Sequence, residues 1–142
     1  MKKIGLTARQ KVIIVLVSFV LAIIGFMIKL PSGLKHMDKE LHATFYFLAA
    51  ALLNILFAGT KLLRHVIIFI ALYLFGVAIE YGQAYSNRFF RTPIHGRFDP
   101  EDVQWNLKGL ITFSLLWFLC TAIILFYKRV VLKQDGYKSK AS

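Results

Sequence analysis

A single cysteine, Cys120, rules out an internal disulfide, and its place in an apolar run makes it a small packing residue. Segments of about ten residues that alternate polar and apolar are missing, which excludes a membrane β-barrel. Internal repeats, low-complexity tracts and long linkers are also missing, so residues 1–142 are expected to form one domain. Acids are scarce, seven against 18 Lys and Arg, and none lies in the first apolar run. That last absence argues against a small drug transporter, which needs an acid deep in a span.

What is present is hydrophobic. Apolar types make up 58% of the chain, the mean hydropathy is +0.62, and the apolar residues fall into four runs, 12–30, 41–58, 62–81 and 107–127. Each run is near the ~20 residues that carry a helix across ~30 Å of hydrocarbon. A soluble chain of this length could not hide four such stretches in one core. The expected fold is all-α, a polytopic membrane protein with four transmembrane helices. The basic start followed by an apolar run resembles a signal peptide, but the run is too long and no small-residue cleavage pattern follows it. It reads as an uncleaved first span.

Charge predicts the orientation. Both termini and the second loop share one side and hold 11 of the 18 Lys and Arg: Lys2, Lys3, Arg9, Lys11, Lys61, Arg64, Lys128, Arg129, Lys133, Lys138 and Lys140. The only acid there is Asp135. The other two loops mix Lys35, Lys39, Arg88, Arg91 and Arg97 with five acids. The termini are therefore expected in the cytoplasm. The net charge of +11 follows from this asymmetry and from attraction to anionic lipid, with no nucleic-acid partner implied.

Polar residues collect where spans two, three and four meet the outer surface. Asp38 is placed to cap the second helix, with Lys39 beside it and His42 one turn on. The third span ends with Glu80 and Gln83 on one face, and Gly76 one turn earlier allows close helix packing. Glu80 is too costly to face lipid, although snorkelling or a pair with Lys39 would also satisfy it. The third loop, about 84–101, ends in Asp99-Pro100, an N-cap followed by proline at the first helical position. Asp102, Asn106 and Gly109 then share a face. Topology alone brings His42, Glu80, Gln83, Asp99, Asp102 and Asn106 into one layer. His36, His65 and His95 read as interfacial or loop residues.

This set resembles the signature of the VanZ-like family of small bacterial membrane proteins, over roughly residue 38 to the end of span four. The matching positions are Asp38-Lys39 with His42, then Glu80 and Gln83, then Arg97, Asp99, Asp102, Asn106 and Gly109. The stretch 86–95, rich in Arg and aromatics, departs from the family's shorter loop. The resemblance implies the bacterial cytoplasmic membrane and a role at the cell envelope. The family's name comes from resistance to the glycopeptide teicoplanin, so a contribution to that resistance follows by analogy.

Two classes of function remain open. In one, a lipid-linked or headgroup substrate, or a glycopeptide, is bound and modified. His42 then serves as base or nucleophile oriented by Glu80 or Asp102, and Lys39, Gln83, Arg97 and Asn106 hold the substrate. In the other, the cluster binds without chemistry or only ties helix ends together. One histidine among scattered carboxylates is a poor transition-metal signature, so no metal or other cofactor is assigned. Nothing in the pattern sets an oligomeric state.

Overall fold

The structure, a computed structural model, describes residues 5–27, 37–89 and 98–138, with backbone only for 133–138. Four helices account for nearly all of it, and no strand occurs among the described residues. Helix α1 (Ala8–Met27) opens on a reciprocal cap: Gln10 N donates to Thr7 Oγ1, while Thr7 N donates to Gln10 Oε1 at 2.9 Å. Helix α2 (Asp38–Leu53) runs on through a π turn, Asn54–Ala58, and stops at Gly59, whose φ of 58° suits a residue without Cβ. Helix α3 (Leu62–Ser86) ends in a 3₁₀ turn, Asn87–Phe89, and α4 spans Pro100–Lys138.

All four helices are long and apolar enough to cross a membrane. Their burial supports that reading. Large apolar side chains such as Leu16, Leu63, Ile67, Leu74, Leu115 and Phe126 lie exposed on the bundle surface, inverting the pattern of a water-soluble protein. The chain is therefore a multi-pass membrane protein by fold.

The core belongs to α2, α3 and α4: Tyr46, Ala50, Leu72, Leu110, Phe113 and Trp117. The broadest contact is α2 against α4. Gly109 sets its closeness, because a Cβ there would run into the carbonyl of Ala43. Helix α1 lies at the periphery with only Ala22 buried. Its two ends are tied down by polar bonds. Lys11 Nζ donates to Leu56 O at 2.8 Å, and Gln83 Nε2 donates to Phe26 O at 2.6 Å.

Three expectations change. The third loop is shorter than 84–101, because α3 continues to Ser86, whose hydroxyl donates back to Gln83 O at 2.7 Å, and then tightens into the 3₁₀ turn. Cys120 is exposed on α4 and packs no core. His65 is buried, as described below. The cap at Asp99 forms as α4 begins, with Glu101 N donating to Asp99 Oδ1 at 2.8 Å.

The two kinds of glycine give opposite expectations. Gly109→Ala should destabilise by about 1–3 kcal/mol through its backbone collision, despite alanine's better helix propensity. Gly82→Ala, with open space around its Cβ position, should be neutral or stabilising. Melting temperatures in detergent check both.

Candidate functional site

The polar residues of the α2, α3 and α4 ends do meet. The first two turns of α2 supply Asp38, Lys39 and His42, the end of α3 supplies Glu80 and Gln83, and the start of α4 supplies Asp99, Asp102 and Asn106. His42, Glu80 and Asn106 are each at most 4% exposed.

His42 is held from one side only. Its Nδ1 lies 2.9 Å from Asn106 Oδ1. An amide oxygen only accepts, so Nδ1 carries the proton and donates it there. In the neutral ring this leaves a lone pair on Nε2, which lies 3.9 Å from Asp38 Oδ1. The ring of Phe26 covers the imidazole at 5.0 Å between centroids. The orienting partner is thus Asn106, whereas Glu80 or Asp102 was expected.

Asp38, expected as the cap, is instead the first helical residue. Met37 takes the N-cap position, without a side-chain bond. Asp38, His42 and Asp102 each bring one ligand-type atom to within 4.8 Å of the others, a closer gathering than the scattered sequence positions suggest.

Glu80 Oε2 accepts a long bond, 3.4 Å, from Asp99 N, while Oε1 is buried without a hydrogen-bond partner among the described residues. The electrostatic neighbours of this carboxylate include Asp102, His42 and Asp99. Tyr46 Oη, fully buried beneath the cluster, also lacks a partner. Gly76 makes room for it: a Cβ there would sit 2.8 Å from Asn106 Nδ2 and 3.0 Å from Tyr46 Oη.

Other expected binding residues are already engaged. Lys39 pairs with Glu101 across α2 and α4, and Gln83 is the tie to Phe26. Arg97 lies outside the described residues. Sequence reasoning missed Tyr46 and Phe26. Tyr46 had a signal, since it follows His42 by four residues and so shares its helix face. Phe26 had none, because nothing in an apolar run marks which side faces a neighbour.

A second polar cluster was also missed. It lies about 18 Å away along α2, from twelve residues at 1.5 Å each. His65 is 4% exposed, with Nδ1 donating to Asn54 Oδ1 at 2.8 Å and Nε2 3.1 Å from Ser114 Oγ. Asn54 Nδ2 donates to Ala50 O at 2.8 Å. The imidazole stacks on Trp117 at 4.2 Å, and Trp117 Nε1 donates to Gly59 O at 3.0 Å. Both ring nitrogens are used, as in a structural clasp. Asn54 inside an apolar run was its one sequence signal.

An apolar groove of about 270 Å³ opens between α1 and the α2–α3 pair, lined by Phe19, Ala22, Phe45, Ala49, Leu72 and Phe75. Phe45 lies one turn below His42, so the groove approaches the cluster from the membrane side. No protein-family model, curated protein or solved structure matches this chain.

The two clusters should respond differently to truncation. His65→Ala strands Asn54 Oδ1 and should cost about 1–3 kcal/mol. Tyr46→Phe removes a buried hydroxyl that has no partner, and should leave the melting temperature unchanged or raise it. Thermal unfolding in detergent separates the two.

Proposed function

We propose that this chain is a VanZ-like envelope protein that binds the polar headgroup of a lipid-linked envelope component at the outer face of the bacterial cytoplasmic membrane. The observation that carries this reading is the contrast between the clusters. The His65 network is closed on itself, whereas the His42 cluster keeps a buried carboxylate oxygen on Glu80 that has no partner among the described residues. Such a group costs stability unless something binds it, and functional sites are where that cost persists. The apolar groove beneath the cluster supports a ligand with a lipid tail. The family resemblance supports the envelope setting, and the excess of Lys and Arg near the termini supports cytoplasmic ends. In this arrangement Arg97, close before Asp99 in the chain, supplies a guanidinium for a headgroup phosphate. Teicoplanin resistance is the phenotype the resemblance points to.

Modification of the ligand is the catalytic form of this reading, with His42 Nε2 as base. A second, purely structural reading draws on one observation. The bonds His42–Asn106 and Lys39–Glu101 tie α2 to α4, and Gln83–Phe26 ties α3 to α1.

His42→Ala and Glu80→Gln decide between them. At matched membrane levels, both should abolish the change in lipid and peptidoglycan-precursor profiles that the native protein produces in cells, and both should stay folded. Losses of melting temperature that track losses of activity at every position would make the cluster structural.

Orientation has its own check. In a Cys120→Ala background, Ser86→Cys should react with an impermeant thiol reagent in intact cells and Ser139→Cys should not. The reverse pattern would overturn the topology.

A further inference from the structure

We propose that Asp38, His42 and Asp102 form a divalent-cation site at the open edge of the cluster, with Glu80 as the buried carboxylate that the ion draws in. Where the ion serves to bridge a headgroup phosphate, this rests on the function proposed above. The site itself rests on three separate observations.

The first is spacing. The donor atoms of Asp38, His42 and Asp102 lie within 4.8 Å of one another, and Asp38 Oδ1 is 3.9 Å from His42 Nε2. Three oxygen and nitrogen ligands about 2.0–2.2 Å from one ion lie about 3–4 Å from one another. Side-chain shifts of roughly half an ångström to an ångström close the set. Asp38 and His42 are four apart on one helix, and Asp102 enters from the first turn of α4.

The second is the state of the histidine. Its Nδ1 proton is committed to Asn106 Oδ1 at 2.9 Å, which leaves the Nε2 lone pair facing Asp38. Metal-binding histidines are held this way, with the far nitrogen donating to an oxygen that fixes ring and tautomer. His65 shows the contrast, because both of its nitrogens are engaged and its partners are Asn54 and Ser114, without a carboxylate.

The third is Glu80. It is 3% exposed, Oε1 has no hydrogen-bond partner among the described residues, and Asp102 and Asp99 are its like-charged neighbours. Asp38, Asp102 and Glu80 surround one histidine, while Lys39, the described lysine beside them, is paired with Glu101. A buried carboxylate oxygen beside like charges is costly, and a cation removes the cost. Three protein ligands leave coordination positions open toward the half-exposed edge at Asp38 and Asp102, where water or a phosphate oxygen enters. A set of carboxylates with one imidazole and no thiolate suits Mn²⁺ or Zn²⁺.

The test uses the full chain purified in detergent and stripped with EDTA. Titration with Mn²⁺, followed by the EPR signal of the free ion, should show one saturable site per chain, with Zn²⁺ competing for it. Asp38→Asn and Asp102→Asn should each weaken binding at least about tenfold, and Asn106→Ala, which frees the ring, by about 10–100-fold. Cys120→Ala, exposed farther along α4, should leave binding unchanged. Asp38 is half-exposed, so Asp38→Asn keeps the comparison informative if a buried variant fails to fold. Saturable binding by neither ion, or affinity unchanged from the native chain in both Asp38→Asn and Asp102→Asn, would overturn the site. A polyprenyl-phosphate lipid in nanodiscs separates the two readings. Lipid binding that persists undiminished in EDTA overturns the bridging ion and leaves the proposed function standing. Ion binding without lipid binding supports the cation site and overturns the proposed function.

Discussion

Gly109 lies against the carbonyl of Ala43 at a distance no side chain tolerates, and the polar end of the bundle depends on that approach. Ala43 follows His42 directly, and Asn106 stands one turn before Gly109. Bringing the two backbones together at this point puts Asn106 Oδ1 at 2.9 Å from His42 Nδ1. A wider crossing would leave both groups buried in an apolar setting without each other. Without water to substitute, an unmet buried polar group costs about 1–3 kcal/mol. The glycine thus converts a helix crossing into a defined imidazole orientation. Gly76 works similarly on α3, where its missing Cβ leaves space for Asn106 and Tyr46.

The bundle carries two buried histidines with opposite surroundings. His65 sits in neutral company, stacked on Trp117, with both nitrogens engaged. His42 sits among carboxylates, with one nitrogen engaged and a glutamate oxygen nearby left without a partner among the described residues. Hydrogen-bond closure produces rigidity, while an unclosed cluster stores electrostatic free energy that a bound group releases. The contrast within one chain makes the His42 end the place to look for a ligand.

Outside the core, the surface is greasy. Helix α1 contributes little to the packed interior and is fastened mainly by polar bonds at its ends, Lys11 to Leu56 and Gln83 to Phe26. In lipid no hydrophobic force drives helices together, so such ties and close packing carry the association. Loose packing along α1 leaves the groove beside Phe19 and Phe45. Midway along α1, Phe19 packs on Phe75 of α3 at 4.3 Å between ring centroids, at the wall of the same groove.

The four helices were legible in the sequence because a span needs only a local property, about twenty consecutive apolar residues. The Asp99 cap and the early start of α4 were legible for a similar reason, since caps are read from adjacent residues. The layer shared by His42, Glu80, Asp102 and Asn106 followed from the up-and-down order of the spans. Partner choice within that layer did not follow. That Asn106 and neither carboxylate orients His42, and that Lys39 turns to Glu101 and Gln83 to α1, depends on helix rotation and crossing distance. Runs apolar on every side carry little periodic signal for either. Asn54 with His65 stayed hidden on the same ground, because their meeting requires α2 to end in a π turn and α3 to return beside it. Local composition determined which segments are long and apolar enough to cross a membrane; helix rotation and crossing distance, set for His42 by the close contact of α2 with α4, decided which polar atoms face each other.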